Sequence, residues 1–278
     1  MAETASRRTF ITTLVTGFTL ATGPINAAAI VTDSSGLDAG EVSVPVSDGH
    51  IPAYRARPKN GRHAPIILVV QEIFGIHEYI KDICRRFAKL GYYAVAPSLY
   101  ARYGDPGKYD MDHIKQLISD IVSKVPDDEV MGDLDSAVAF ARNEGANTER
   151  LGITGFCWGG RIVWLYATHN PSIKAGVAWY GPLRGEPNAL RPHTAVDVAP
   201  QIRAPVLGLY GGLDTGITAA DIEAMRTALD AAGNTKSRID VFDDAQHGFF
   251  ADYRPSYNGP DAKVAWPRAL AWFAANGV

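Results

Sequence analysis

From Ile66 onward, short apolar runs and amphipathic runs take turns along the chain. Ile66 to Val70 is unbroken apolar sequence, which predicts a strand covered on both faces. Glu78 to Leu90 repeats its apolar positions at helical spacing and stops at Gly91, and Tyr92 to Ala96 predicts a second strand that Pro97 ends. Met111 to Lys124 and Asp128 to Asn143 predict helices, Arg150 to Thr154 a short strand, and Arg161 to Thr168 a helix. Strands at Ile173 to Tyr180 and Pro205 to Tyr210 follow, then a helix over Ala219 to Ala232 that ends at Gly233. Arg238 to Phe242 is the last strand, and Asp261 to Asn276 closes with a helix. Ahead of this series, Glu41 to Val46 and Ile51 to Arg57 alternate as edge strands do, predicting an antiparallel hairpin that turns at Asp48-Gly49. Alternation of this kind predicts an α/β fold with a mostly parallel central sheet, helices on both faces and right-handed crossovers. Nothing reads as a repeat or an interdomain linker, so residues 30–278 are expected to form one domain. Gly181 to Val198, with Arg184, Glu186, Arg191 and His193, predicts a loop that could contribute to a lid.

Residues 1–29 have a different character. Arg7-Arg8 precedes a modest, threonine-containing apolar stretch, and Ala27-Ala28-Ala29 supplies small residues of the kind found at cleavage sites. This pattern is similar to a twin-arginine signal peptide. It implies the twin-arginine export machinery as a partner, with a periplasmic or secreted product. The apolar stretch is shorter than the roughly 20 residues a spanning helix needs, so no stable membrane insertion is expected.

A chain of 278 residues that is 46% hydrophobic and 21% charged is long enough for one sizeable core. Its formal charge of −3 provides no basic field for nucleic acid. Neither zinc-type Cys/His spacing nor a GxxxxGK[ST] phosphate loop occurs, and no cofactor or metal is expected. Of the two cysteines, Cys84 shares a helical face with Ile80, Ile83 and Phe87 and reads as core packing.

Cys157 stands in another context, Gly155-Phe156-Cys157-Trp158-Gly159-Gly160, between a predicted strand and a predicted helix. Small residues on both sides permit a sharp turn that would present the thiol above the sheet, beside the first amides of the helix. Two further positions complete a catalytic set in chain order: Asp214 ends the strand that runs into Gly211-Gly212-Leu213, and His247 lies in the loop after the last strand. Nucleophile, acid and base, each just past a strand, is the triad order of the α/β-hydrolases, which this pattern resembles. A free thiol titrates near 8.5 and needs a base; His247 can supply it while Asp214 holds the tautomer. The strand Ile66 to Val70 empties into Gln71-Glu72-Ile73-Phe74-Gly75. In such a fold this loop donates one oxyanion-hole amide and the residue after the nucleophile donates the other, which nominates Ile73 and Trp158. Glu72 is either a solvated loop residue or a carboxylate that needs neutralising beside the hole.

Taken together, Gln71 to Gly75, Pro97-Ser98-Leu99-Tyr100-Ala101-Arg102, the Cys157 turn, Gly211 to Asp214 and His247-Gly248-Phe249 resemble the dienelactone hydrolase family, the cysteine branch of the α/β-hydrolases, over roughly residues 41–276. The resemblance implies Cys157 as nucleophile, His247 as base, Asp214 as orienting acid, Glu72 as a carboxylate contacting the thiol, and Arg102 as a ligand of a substrate carboxylate. It implies, as small-molecule substrate, an enol lactone such as 4-carboxymethylenebut-2-en-4-olide, opened to maleylacetate, or else an activated ester. A broad carboxylesterase or thioesterase on the same triad is the alternative, and a non-catalytic binding protein on this fold a further one. The chain departs from the family pattern after the base, where serine and a more distant arginine are common and Gly248 and Ala251 stand here. Arg254 is a candidate replacement or a surface charge; Tyr100 is a candidate pocket wall or a core residue.

Overall fold

The computed structural model describes residues 29–278; residues 1–28 of the expected export leader lie outside the described residues. Eight strands form one mixed sheet in the order β1-β2-β4-β3-β5-β6-β7-β8. These are β1 (Leu37–Val46), β2 (Gly49–Pro58), β3 (Pro65–Val70), β4 (Tyr93–Pro97), β5 (Asn147–Phe156), β6 (Ile173–Trp179), β7 (Val206–Gly211) and β8 (Arg238–Phe242). The β1–β2 and β2–β4 pairs are antiparallel, and every pair from β4 through β3 to β8 is parallel. The hairpin closes with Val46 opposite Gly49, so Ser47-Asp48 form its tip and the turn lies one residue earlier than expected.

Seven α-helices are found among the described residues: α1 (Glu78–Lys89), α2 (Ile114–Asp120), α3 (Asp127–Asn143), α4 (Trp158–His169), α5 (Ala195–Val198), α6 (Ala219–Ala231) and α7 (Gly259–Ala275). Capping defines several ends. Thr218 and Asp221 form a capping box on α6, and the Asn258 side chain accepts from the Asp261 amide ahead of α7. The expected helix over Met111 to Lys124 is broken into a 3-10 turn, the two-turn α2 and a second 3-10 turn. The break falls at Ile121, whose φ of −123° and ψ of −68° leave the helical region. Leu117, Ile121, Val122 and Val125 are buried along this broken segment. Within the expected Gly181–Val198 loop, a Thr194/Asp197 capping box nucleates the short α5.

The core is densest around β3, where every residue from Ile66 to Val70 is fully buried. Each such side chain contributes about 1.5–3 kcal/mol of burial. Cys84 is fully buried among these residues, and burial pushes its thiol pKa up, consistent with packing. The strand order reverses direction at β3, with β4 on one side and β5 on the other. A crevice opens at such a switch point beyond the carboxyl ends of the strands. Gln71, Cys157, Asp214 and His247 all follow strands that end on that side.

Candidate active site

Cys157 sits between β5 and α4 with φ 54° and ψ −118°, a conformation that side chains rarely adopt. Its amide donates to the Trp179 carbonyl at 3.0 Å, and its carbonyl accepts from Gly160 at 2.9 Å, so the strained residue is held from both sides. The glycines around it make the approach possible. A Cβ on Gly159 would stand 2.5 Å from the Gln71 carbonyl oxygen and 2.6 Å from that of Val70, and one on Gly155 would meet the Gly159 carbonyl. The start of α4 is thereby pressed onto the end of β3. Under the turn, Phe156 stacks on Trp179 with centroids 5.6 Å apart, and Trp179 stacks on Phe250 at 4.2 Å. This aromatic stack joins the ends of β5 and β6 to the loop that carries His247.

His247 Nδ1 lies 2.7 Å from Asp214 Oδ2, so Nδ1 carries the proton and Nε2 is left for chemistry. The other oxygen of Asp214 accepts from the amides of Gly216 at 2.8 Å and Ile217 at 3.0 Å. Burial alone would raise the pKa of Asp214; the bond and charge of His247 and these two amides outweigh it and hold the carboxyl low. Burial works against the charged form of His247 as well, but Asp214 and the neighbouring Cys157 sulfur raise its pKa to about 10. The well-aligned bond of the imidazole is the one to Asp214. The Cys157 sulfur is the other polar neighbour of the imidazole.

The Gln71–Gly75 loop is a tight turn in which Gly75 donates to the Glu72 carbonyl at 3.2 Å and adopts φ 74°. Ile73 lies inside this turn, and Trp158 is the first residue of α4, where helical geometry leaves the amide without an internal acceptor. Among the described residues neither amide is spent on a protein acceptor. Both are available to an oxyanion.

Glu72 is fully buried, but its partners differ from those expected. Oε1 accepts from Arg254 Nη2 at 2.8 Å, and Oε2 accepts from the Tyr253 hydroxyl at 2.6 Å and faces His77 Nε2 at 3.2 Å. Burial would raise the pKa of this carboxyl; Arg254, His77 and Tyr253 overcome that and hold it at about 2. Both oxygens are thus occupied, and neither is hydrogen-bonded to the thiol among the described residues. Arg254 is correspondingly spent on Glu72 and Tyr253 and stacks over the Phe74 ring, instead of facing substrate or bulk solvent. Arg102 also departs from expectation. Its guanidinium makes two bonds to Asp48 at 2.8 and 2.6 Å and two to Asp133 at 2.8 and 3.0 Å, with Glu129 at 3.5 Å. Such a fork is saturated by carboxylates and clamps the β1–β2 tip to α3, leaving no charge for a substrate acid. Tyr100 is fully buried with its ring packed edge-on against Trp158 at 5.0 Å, which brings it to the turn that carries Cys157. Among the described residues no group of three or more His, Cys, Asp or Glu is arranged to hold a metal ion.

A family model described as the dienelactone hydrolase family matches residues 51–277. The chain belongs to the dienelactone hydrolase family. It is similar to the "Putative carboxymethylenebutenolidase" of Methylorubrum extorquens, with 59% identity over 278 residues that cover 99% of this chain and 94% of that one. The protein of the same name from Escherichia coli K12 is 49% identical over 267 residues, covering 96% and 97%. A crystal structure from Klebsiella pneumoniae, described as a "Putative Dienelactone Hydrolase", is 53% identical, covers 86% of this chain and 98% of that one, and superposes with a TM-score of 0.82. The chain is therefore a hydrolase enzyme with the α/β-hydrolase fold.

Within this dienelactone hydrolase family member, the departure after His247 has a structural counterpart. Gly248 adopts φ 75°, and a Cβ there would lie 3.0 Å from Arg254 Cδ, so the missing side chain makes room for Arg254 to reach Glu72. His77 and Tyr253, which share Glu72 with Arg254, had no signal in the sequence. Tyr253 lies 181 positions from its partner, and only the tertiary fold brings the two together.

Proposed function

We propose that this hydrolase opens an enol lactone or an activated ester by nucleophilic attack of Cys157, with His247 as base, Asp214 as its orienting acid and the amides of Ile73 and Trp158 as oxyanion donors. The observation that carries the reading is the strained Cys157 turn standing beside the 2.7 Å His247–Asp214 couple. With its pKa raised to about 10, His247 holds at Nε2 the proton that the sulfur gives up; the sulfur attacks the carbonyl carbon, and the carbonyl oxygen becomes an oxyanion between the two amides. Collapse of this intermediate breaks the ring C–O bond, leaving a thioester on Cys157 and an enolate. An enolate is a good leaving group and takes up the proton from His247 Nε2, which leaves the imidazole neutral for the next step. Water, deprotonated by His247, then cleaves the thioester and returns the thiol.

The names of the similar proteins describe a butenolide bearing a carboxymethylene group, which supports an anionic, unsaturated five-membered lactone as substrate class. A direct test assays purified protein on dienelactone and on p-nitrophenyl esters, with Cys157→Ala as control. Loss of both activities in the variant is expected, and equal activity would remove the nucleophile assignment. Rapid Cys157-dependent turnover of the esters with none of the lactone would favour the broad esterase reading. We also propose periplasmic delivery through the twin-arginine route, supported by Arg7-Arg8 and the stretch that follows. Replacing both arginines by lysine is expected to trap the protein in the cytoplasm, and undiminished periplasmic protein would overturn that route.

A further inference from the structure

Among the described residues three that are not glycine have positive φ: His63, Cys157 and Tyr180. Two of them stand side by side. Phe156 and Trp179 are register partners on the parallel strands β5 and β6, so Cys157 and Tyr180 are each the first residue past that pair, on strands about 4.8 Å apart. The Cys157 amide, donating to the Trp179 carbonyl at 3.0 Å, joins the two turns. Tyr180 adopts φ 37°, which a bulky residue tolerates only where its surroundings leave it no alternative. Here they do so. The Tyr180 amide donates to the Leu209 carbonyl of β7 at 2.9 Å, and the Gly181 that follows is pressed onto the start of α4, where a Cβ would run into the Gly160 carbonyl carbon.

The ring that this turn fixes lies against His247. Tyr180 is fully buried, and its ring meets the imidazole edge to face, with centroids 5.2 Å apart and planes at 65°. Phe249 packs on the same tyrosine at 5.7 Å and Phe156 at 6.3 Å, so the ring is gripped both from the end of β5 and from the loop that carries His247. His247 needs such a support. Its Nδ1 bond to Asp214 fixes one point of the imidazole, and a planar ring held at one point still turns about it. The side chain is also 32% exposed, so part of its surface has no protein against it. We propose that Tyr180 is a positioning residue for the base: its ring, projecting from the strained turn beside Cys157, sets the plane of the His247 imidazole and keeps Nε2 directed at the sulfur. The proposal deepens, and rests on, the reading of Cys157 and His247 as nucleophile and base. The ring carries the role and the hydroxyl does not, because the phenol oxygen is buried without a hydrogen-bond partner.

The test compares Tyr180→Leu, Tyr180→Met and Tyr180→Phe with wild type on any substrate that wild type turns over. A misaimed base in front of an unchanged substrate site predicts that the leucine and methionine variants lower kcat about 10- to 100-fold with KM within about threefold. Tyr180→Phe, which restores the ring, should recover kcat to within about threefold of wild type. The second readout is the imidazole itself, titrated by NMR in a Cys157→Ala background, where no thiol titrates beside it. A loosened imidazole loses part of the Asp214 bond that favours its protonated form, so Tyr180→Leu and Tyr180→Met should move the His247 titration to lower pH by about 0.5 or more, and Tyr180→Phe should restore it. Lowered kcat together with a displaced titration supports the proposal. Either one unchanged overturns it, since a merely structural role would lower Tm and leave both readouts of the folded enzyme in place. If Tyr180→Leu does not fold, Tyr180→Met, whose flexible chain refills the space, decides the matter. A loss of more than about tenfold in Tyr180→Phe overturns the role of the ring whatever the other variants do. Turnover that survives Cys157→Ala would remove the nucleophile reading, and the imidazole titration would still decide whether Tyr180 holds His247.

Discussion

Glu72→Gln removes the negative half of a deeply buried ion pair and leaves the Arg254 guanidinium, whose side chain is 9% exposed, without its anion. The carboxyl is held at about 2, against an ordinary value of about 4.5, by Arg254, His77 and Tyr253 acting against burial. A shift of that size corresponds to roughly 3 kcal/mol at neutral pH, at about 1.4 kcal/mol per unit. Breaking one side of a buried pair costs about 3–5 kcal/mol, which agrees. For a domain of this size, each kcal/mol moves Tm by about 2–4 °C, so the variant should melt roughly 6–12 °C lower at pH 7. The pH dependence has a definite sign. Because the folded carboxyl titrates below the unfolded one, its contribution is complete above about 4.5 and is lost as pH falls through about 2. The difference between wild type and variant should therefore shrink across that window when urea unfolding is followed by circular dichroism. Arg254→Met combined with Glu72→Gln should recover part of the loss, since an uncharged pair leaves no stranded cation. A Tm within 2 °C of wild type for Glu72→Gln, or a double variant as unstable as the sum of the singles, would refute the ion-pair reasoning.

Asp214→Asn should preserve the fold but leave His247 with the wrong tautomer, lowering kcat by about 10²–10⁴, as read on any substrate wild type turns over. Gly159→Ala would drive a methyl group into the backbone carbonyls of Gln71 and Val70, so activity should fall at least tenfold as the oxyanion loop is displaced. An unaffected kcat would show that this close approach is not needed. Arg102→Met should destabilise the protein by about 1–3 kcal/mol through the stranded Asp133 carboxylate while leaving KM for a carboxylate substrate within twofold. A large rise in KM without loss of stability would return Arg102 to the substrate.

Much of the molecule was legible in residue order because local chemistry and strand topology carry it. The unbroken apolar run of Ile66 to Val70 requires cover on both faces, and a strand-helix alternation leaves few arrangements other than a parallel sheet. Gly155 to Gly160 marked the strained turn, because close backbone approach admits only small residues there. Asp214 and His247 were legible for the same reason: each follows a strand of one parallel sheet, so both emerge on the side where Cys157 stands. The roles of the charged side chains were not legible. Arg102 and Arg254 each look like a free cation in sequence, and whether either meets a carboxylate within the protein depends on partners 31 and 182 positions away. An arginine's availability is what remains after its neighbours have taken their share of five donors, and those neighbours are assembled only by packing. Residue order thus decided the fold and the line of catalytic candidates. Three-dimensional packing alone decided that the two expected cations, Arg102 and Arg254, are neutralised internally.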